Sequence, residues 1–185
     1  NAIVGLHATG GSTNHTLHLP AMAAAAGINI TWQDFADLSE ITPLLARVYP
    51  NGSADVNHFH AAGGIGFVIA ELLDSGLLDG NAKTVGGDDL HDYVREPFLD
   101  GGDLVWRAAP KVSGDEEILR PANNPHSVNG GLKILDGNLG KAVIKISAVA
   151  DTRHVISAPA ALFTTEAEVK AAYQAGDLNR DVVVV

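Results

Sequence analysis

Five Gly-Gly pairs divide the chain into short elements, and they constrain its fold more than any other feature of the sequence. Gly10-Gly11 precedes hydroxyl residues and a helix start, and Gly63-Gly64 opens a helix-like apolar pattern. The other pairs lie at 86–87, 101–102 and 130–131. Since 46% of the 185 residues are hydrophobic and only 18% are charged, the chain can bury a core, and disorder, collagen-like repeats and coiled coil are not expected.

The charge of the chain argues against two classes of partner. Twelve Lys and Arg residues stand against 22 Asp and Glu residues, which gives a net charge of −10. An acidic protein repels phosphate backbones and anionic lipid surfaces at long range, so neither a nucleic acid nor a membrane is expected as a partner. The longest early apolar run, 20–30, is too short to cross a bilayer and follows no basic segment of a signal peptide.

The chain contains no cysteine, so disulfides, thiolate-ligated metals and a cysteine nucleophile are excluded within it. Its only methionine is Met22, and Asn1 already lies in a segment that reads as structured. Residues 181–185 form a strand-like apolar run with no turn after it. These features indicate an internal piece of a longer protein.

Helices are predicted for most of the first half. Ser12 or Thr13 can cap a helix with Leu17 on its apolar side and Gly27 as its end. The Thr-x-x-Asp pattern at 31–34 predicts a capping box for a second helix running towards Leu38.

Further along, Pro43 can start another helical turn through Arg47, and residues 50–52 carry the turn signal Pro-Asn-Gly. A mostly buried helix is predicted after Gly63-Gly64, with Gly76 as its cap.

Residues 86–138 are rich in glycine and of weak periodicity, which is typical of loops. The acidic run at 115–117 is interpreted as a solvated loop. A domain junction is predicted within 110–128, and we place it between residues 118 and 119.

Strands dominate the rest of the chain. Alternating or apolar runs predict strands at 142–149, 155–156, 160–163 and 181–185. A capping box at 165–168 predicts one helix, which ends near Ala175 before a glycine.

The first candidate site is the segment from His7 to His15, where the Gly-Gly pair meets Ser12 and Thr13 at a helix start. Free N–H groups of a first helical turn and two hydroxyls suit a carboxylate or a phosphate. The alternative is an ordinary strand-to-helix turn whose Ser or Thr only caps the helix.

The second candidate site is the segment 57–64, with His58 and His60 before its Gly-Gly pair. In an extended backbone both imidazoles share one side, which suits a metal or proton transfer. No third ligand is evident, so satisfied polar histidines are the default interpretation. His15 and His18 would likewise share a helix face, with surface histidines as the default.

The third candidate is the glycine-rich stretch 126–131 together with 137–140, which predicts either a ligand cleft near a domain junction or simple hairpin geometry. No Walker loop, dinucleotide-binding glycine motif, zinc-protease motif or hydrolase elbow is present.

Four ordered motifs resemble one enzyme family. Residues 1–14, NAIVGLHATGGSTN, are similar to the A-x-G-G-S-T-N segment of the dihydroxy-acid and 6-phosphogluconate dehydratases. Residues 59–65 and 71–78 resemble the family's A-G-G-I, E-L-L and G-L-L run. Residues 129–139 and 142–149 resemble its G-G-L, L-x-G-N-L and V-x-K-x-S segments. The resemblance covers essentially the whole chain.

Within the family, residues 45–59, 14–15 and 175–181 resemble the 6-phosphogluconate branch. The resemblance implies a cytoplasmic, homodimeric lyase of the Entner–Doudoroff pathway, which converts 6-phospho-D-gluconate, a phosphorylated sugar acid, to 2-dehydro-3-deoxy-6-phosphogluconate. It also implies an iron–sulfur cluster, [4Fe-4S] in this branch, acting as a Lewis acid on the C3 hydroxyl while a base removes the C2 proton. In some relatives a divalent ion such as Mg²⁺ helps to hold the substrate.

The chain departs from the family pattern at one decisive point. The family's cluster cysteines precede the G-G-S-T-N segment, and this chain has none. The resemblance therefore implies an internal fragment of α/β class that is inactive alone. Residues 1–118 would be the helix-rich C-terminal part of the cluster-bearing α/β domain, and residues 119–185 the beginning of a β-rich, barrel-like domain.

No catalytic residue and no metal ligand can be carried over from the family. The residues expected to bind substrate are the motif positions Thr9, Gly10, Gly11, Ser12, Thr13, Asn14, His58, His60, Gly63 and Gly64. The cation that meets the phosphate stays open among Arg47, Arg95, Lys111, Arg120 and Lys133. Two alternative functions also stay open: a dihydroxy-acid or sugar-acid dehydratase, and a non-catalytic assembly module of the same fold.

Overall fold

A computed structural model describes all residues from Asn1 to Val185. The chain forms two compact units, residues 1–148 and residues 149–185. The first unit contains five helices: α1 (Ala2–Ala8), α2 (His15–Ala25), α3 (Trp32–Ile41), α4 (Val56–Ala61) and α5 (Gly64–Asp74). It also contains two antiparallel hairpins: β1 (Arg95–Asp100) with β2 (Asp103–Ala108), and β3 (Leu132–Gly137) with β4 (Gly140–Lys145).

The second unit is small. Its strands β5 (Ala160–Ala161) and β6 (Val183–Val184) pair in parallel, and α6 (Glu166–Ala175) lies between them in sequence. The predicted strands at 160–163 and 181–185 are therefore present in shortened form. The strand predicted at 155–156 is wrong, because these residues follow a short 3-10 helix, Asp151–Arg153, without pairing. Helices and small sheets together make the chain mixed α/β, as predicted.

Both predicted capping boxes are present. At α3 the Asp34 carboxylate accepts from the Thr31 N–H at 2.6 Å and from its hydroxyl at 2.8 Å. At α6 the Glu168 N–H donates to the Thr165 hydroxyl at 3.3 Å, and the helix ends at Gly176, which has a φ of 85°. Such reciprocal bonds satisfy N–H groups that a helix start otherwise leaves without partners.

The start of the chain differs from the prediction. The residues before the first Gly-Gly pair form helix α1, so the turn joins two helices rather than a strand and a helix. Helix α2 begins at His15 with Asn14 as N-cap, so the predicted cap at Ser12 or Thr13 is wrong. Its predicted apolar side is not buried within this chain, since Leu17 is 67% exposed.

The segment after α3 is extended, so the helical turn predicted after Pro43 is wrong. Leu44 and Ala46 form isolated bridges with Ser127 and Leu119. The N–H of Leu45 donates to the carbonyl of Ala8 at 2.7 Å, at the end of α1. Hydrogen bonds to three distant segments therefore outweigh the local preference of this stretch for a turn.

The loop-rich stretch contains a hairpin that the sequence did not predict. Strands β1 and β2 pair around Gly101-Gly102, with Phe98 opposite Val105. Pro97 lies inside β1 and argues against a strand by itself, but a two-stranded hairpin has edge positions where proline is tolerated. The second hairpin, β3 with β4, confirms the hairpin interpretation of 137–140. Its strand ends at Lys145, and residues 146–148 form a 3-10 turn.

The core of the first unit is built around α1. Val4 and Ala8 pack in a cluster with Phe67 and Leu72 of α5, and Ile3 and Leu6 pack in a second cluster with Phe35 and Leu132. The helix therefore contributes to both hydrophobic clusters of the unit. Helix α5 is largely buried and ends before Gly76, as predicted. None of the helices is both long and apolar enough to cross a lipid bilayer.

We predict that Phe67→Ala lowers the free energy of unfolding by about 3–5 kcal/mol, because it removes a core ring that is only 1% exposed. Ile65→Ala is the matched control on the same helix, since Ile65 is 57% exposed, and it should cost less than about 1 kcal/mol. Urea unfolding followed by circular dichroism measures both. Equal losses in the two variants would contradict the assignment of α5 to the core.

Candidate functional site

The first candidate site lies at the tight turn that follows α1. The Thr9 hydroxyl donates to the carbonyl of Gly5 at 2.7 Å, and the N–H of Gly11 donates to the carbonyl of Leu6 at 2.8 Å. Gly10 has a φ of 59°, and a Cβ there would lie 2.0 Å from the Asn51 amide nitrogen. Only glycine fits this position, for both backbone and steric reasons.

The carbonyl of Gly10 accepts two hydrogen bonds from distant parts of the chain. Asn51 Nδ2 donates to it at 2.7 Å, and Lys145 Nζ donates to it at 2.6 Å. The Ser147 hydroxyl in turn donates to Asn51 Oδ1 at 2.9 Å. We call these four residues, Gly10, Asn51, Lys145 and Ser147, the Gly10 cluster. It joins the G-G-S-T-N segment to the V-x-K-x-S segment.

A second glycine pair makes room for the cluster. A Cβ at Gly131 would lie 2.3 Å from the Ser147 hydroxyl oxygen, and a Cβ at Gly130 would lie 2.7 Å from the Cβ of His7. Any side chain at these positions would displace the cluster or α1. The third candidate stretch thus packs against the first one.

Lys145 is half-buried and has no carboxylate partner. The other lysines of its hairpin are paired, Lys133 with Glu40 and Lys141 with Asp136. Burial lowers the pKa of Lys145, because the ammonium loses part of its hydration.

The remaining N–H groups of the turn are only partly free. The N–H groups of His15 and Thr16, which we expected to be available to an anion, already donate to the carbonyls of Ser12 and Thr13, at 3.1 and 2.9 Å. The N–H of Asn14 donates to the Ser12 hydroxyl at 3.2 Å. The N–H groups of Ser12 and Thr13 themselves donate to no acceptor in the chain. The donors left for a ligand are therefore at the turn rather than in the first turn of the helix.

The second candidate segment adopts a helix rather than a strand. His58 and His60 lie two residues apart in α4, so they do not share a side, and the expectation based on an extended backbone is wrong. Asp55 caps the helix, and its carboxylate lies 2.9 Å from His58 Nδ1. The N–H of His58, with further N–H groups of that turn, lowers the pKa of Asp55.

The other residues of this segment have structural positions. His60 is exposed, while Gly63 and Gly64 are buried, with φ of 136° and 62°. A Cβ at Gly63 would lie 3.0 Å from the Cβ of Phe67. Because Gly63 has no side chain, the start of α5 can lie close to Phe67, whose ring is in the core.

An open cavity of about 430 Å³ lies beside the second candidate segment, which contributes His58 to its lining. Arg47, Asn51 and His58 line it, together with Gly52, Ser53, Ala54, Asp115, Glu117 and Ile118. Asn51 therefore faces the cavity while its amide group holds Gly10. Because Nδ1 of His58 faces Asp55, the Nε2 atom of this imidazole is left for other partners.

The cations proposed from the sequence have different surroundings. Lys133 is paired with Glu40, and Arg120 donates to the carbonyl of Glu116 and lies 3.9 Å from Glu117. Arg47 lines the cavity and has no acidic partner within ion-pair distance. Arg95 and Lys111 lie outside the cavity lining.

Burial lowers the pKa of two histidines. The pKa of His126 is lowered to about 4 by burial and by the charges of Arg120 and Arg47, and its Nε2 has no partner. His7 is 1% exposed, and its Nε2 lies 2.9 Å from the carbonyl of Phe35. Because a carbonyl only accepts, Nε2 of His7 carries the proton. Burial lowers the pKa of His7 as well.

Comparison with known proteins identifies the family. The N-terminal domain model of the dihydroxy-acid/6-phosphogluconate dehydratases matches residues 1–93, and the C-terminal domain model matches residues 117–185. The chain belongs to this dehydratase family. Its relatives include the phosphogluconate dehydratases of Pseudomonas aeruginosa and Escherichia coli K12, 56% and 53% identical over the whole chain, and the dihydroxy-acid dehydratase of Nitratidesulfovibrio vulgaris, 38% identical. The chain spans about 30% of the length of these relatives.

The residues of this dehydratase chain do not fit an iron–sulfur cluster. Thiolates are the usual cluster ligands, and the chain has no cysteine. No group of three or more His, Asp or Glu side chains is placed to hold a metal ion. His15 and His18 are both exposed, and Nδ1 of His15 lies 3.1 Å from the carbonyl of Ser12.

Sequence reasoning missed three members of the Gly10 cluster in this family segment. From the sequence, Asn51 is expected in a turn and in the branch-like stretch 45–59, and Lys145 and Ser147 in a strand and in the V-x-K-x-S segment, but none of them is expected to contribute to the site. One signal was available for Lys145: it is a single cation in the apolar run Val-Ile-Lys-Ile. A charge at such a position is rarely buried unless it has a partner.

We predict that Asn51→Leu lowers the free energy of unfolding by about 1–3 kcal/mol, because the Ser147 hydroxyl loses its acceptor and the Gly10 carbonyl loses one donor. Asn57→Leu is the control, since this exposed side chain on α4 makes no hydrogen bond, and it should change stability by less than about 0.5 kcal/mol. Urea titration compares the two. An Asn51→Leu protein as stable as the control would contradict the network.

We predict that His126 destabilises the folded chain at acid pH. Its folded pKa of about 4 lies below the ordinary value of 6.5, so between pH 6.5 and 4 the unfolded state binds a proton that the folded state does not. The free energy of unfolding therefore decreases as pH falls through this range. In His126→Gln this decrease should be smaller than in the wild type. Urea midpoints at pH 7.5 and 5 test this, with exposed His18→Gln as the control that keeps the decline of the wild type. Parallel declines in all three proteins would be the contrary result.

Proposed function

We propose that the chain is part of a hydro-lyase that dehydrates 6-phospho-D-gluconate to 2-dehydro-3-deoxy-6-phosphogluconate in the Entner–Doudoroff pathway. The C2 proton and the C3 hydroxyl leave as water, and the resulting enol becomes the 2-keto acid. The observation that carries this proposal is the difference in identity: 56% to a protein named phosphogluconate dehydratase against 38% to one named dihydroxy-acid dehydratase.

The geometry of the first unit supports a binding role in this reaction. Its substrate carries a carboxylate and a phosphate, and both need donors of hydrogen bonds. The Gly10 cluster and the adjacent cavity present an ammonium at Lys145, a guanidinium at Arg47 and the N–H groups of Ser12 and Thr13. Charge-assisted bonds to such donors are stronger than neutral ones.

The motif residues keep the roles expected from the sequence, as proposals. Substrate contact is proposed for Thr9, Gly10, Gly11, Ser12, Thr13, Asn14 and His58, since these residues lie at the turn or line the cavity. For Gly63 and Gly64 support of the cleft is proposed rather than direct contact, because both are buried where α5 begins. The same is proposed for His60, which is exposed but does not line the cavity.

We propose that the junction between the two family domains lies near residues 118 and 119, the second of them being β-rich and barrel-like. The match to the C-terminal domain model begins at residue 117, close to this position, and supports it.

The whole enzyme is proposed to be a cytoplasmic homodimer. It would hold its [4Fe-4S] cluster through cysteines outside this chain, with a divalent ion such as Mg²⁺ as a second candidate cofactor. The cluster itself rests on the family resemblance, and the absence of cysteine means that this chain supplies no thiolate ligand to it.

Two alternatives make different predictions. A dihydroxy-acid or sugar-acid dehydratase would prefer a substrate without phosphate. A non-catalytic assembly module would bind no cluster and turn over neither substrate.

We predict that the full-length protein containing this chain, reconstituted anaerobically with iron and sulfide, forms a 2-keto acid from 6-phosphogluconate at least about 100-fold faster than from 2,3-dihydroxy-isovalerate. The isolated chain should bind no cluster, because it has no thiolate, and should be inactive. Carbonyl formation and cluster absorbance are recorded together. A preference for the unphosphorylated acid would support the first alternative, and a full-length protein without cluster or turnover the second.

A further inference from the structure

Lys145 occupies an unusual position for a lysine. It lies at the end of β4 between Ile144 and Ile146, in an apolar run, and it is half-buried. Removing part of an ammonium from water is unfavourable unless other groups replace its hydration. Within the chain, only the carbonyl of Gly10 replaces part of this hydration, by accepting a hydrogen bond from the Lys145 ammonium.

The ammonium therefore has unused capacity. An ammonium has three N–H donors, and Lys145 uses one of them within the chain. No Asp or Glu lies within ion-pair distance of it, whereas Lys133 and Lys141 in the same hairpin each have a carboxylate partner. The charge of Lys145 is thus the one in this hairpin that nothing in the chain neutralises.

Its neighbours hold this ammonium in place. Asn51 takes the second acceptor position of the Gly10 carbonyl and is itself fixed by the Ser147 hydroxyl. Gly131 lets Ser147 approach closely. A charge fixed in advance at one point binds an anion with a smaller loss of side-chain freedom than a mobile surface lysine does.

We propose that Lys145 binds an oxyanion of the substrate, either its carboxylate or its phosphate, beside the Gly10 turn. The N–H groups of Ser12 and Thr13, two and three residues further on, have no acceptor in the chain and provide additional donors. The proposal rests on the proposed function for the identity of the substrate. Asn51 and Ser147 are positioning residues that act through the Gly10 carbonyl and the ammonium.

A purely structural role for Lys145 predicts different behaviour. If the ammonium only braced the Gly10 turn, its removal would lower stability and kcat without a selective effect on ligand affinity. A binding role predicts a change in KM and a response of the amine itself to ligand.

The first experiment compares Lys145→Gln and Lys145→Arg in the full-length holoenzyme. We expect Lys145→Gln to raise KM for 6-phosphogluconate about 10- to 100-fold, the range of a lost charge-assisted hydrogen bond, with kcat changed less than about threefold. Lys145→Arg should recover part of the affinity, since it keeps the charge. Lys141→Gln, on the same strand but exposed, is the control and should behave like the wild type.

The second experiment needs no turnover and no variant. Lysines of the full-length wild-type protein are acetylated with acetic anhydride, and mass spectrometry measures the rate of labelling of Lys145 and Lys141. Added 6-phosphogluconate should slow labelling of Lys145 at least about fivefold and leave Lys141 unchanged. Protection by inorganic phosphate alone identifies the phosphate contact, and protection by gluconate alone identifies the carboxylate contact.

The outcomes separate the two proposals. Turnover of 6-phosphogluconate with no protection of Lys145 and an unchanged KM in Lys145→Gln would overturn the inference and leave the proposed function standing. Protection of Lys145 by gluconate or phosphate without turnover would reject the proposed function and retain the oxyanion site.

Discussion

The carbonyl of Gly10 is the acceptor on which the arrangement of the first unit depends. It receives hydrogen bonds from residues 41 and 135 positions away, Asn51 and Lys145, at the point where α1 ends. Helix α1 in turn packs in both hydrophobic clusters of the unit. A buried carbonyl with two good donors is stable only when both segments are correctly placed, so one atom couples the helix, the turn after Pro50 and the end of β4.

This coupling explains why glycine recurs in the motifs. At Gly10 and Gly131 a Cβ would lie closer than 2.5 Å to an atom of the cluster. The glycines do not contact a ligand through side chains of their own. Their contribution is space, and the side chains that use this space, Asn51 and Ser147, come from other segments.

How far the sequence predicts this structure depends on the range of the interactions involved. The capping boxes at 31–34 and 165–168 and the buried helix α5 were predictable, because their signals lie within a few residues. The extended segment 44–47 and the hairpin β1–β2 were not, because distant backbone groups stabilise them. At α4 a local signal existed: Asp55, three residues before His58, caps a helix and places the two histidines on different sides.

The sequence likewise predicts only part of the candidate site. The turn Thr9–Asn14 was identified from its motif, yet the cation nearest to it was not among the five candidates, because its proximity arises from a contact across 135 residues. The net charge of −10 gives no guidance either, since a field summed over the surface says little about one half-buried ammonium without a counter-ion. Lys145 differs from the paired lysines of its hairpin in its immediate surroundings. Two of its three N–H donors have no acceptor in the chain, and no carboxylate lies within ion-pair distance of its ammonium. A half-buried cation that has no carboxylate partner and lies beside a glycine turn is therefore a stronger indication of an anionic ligand than the overall charge of the chain is.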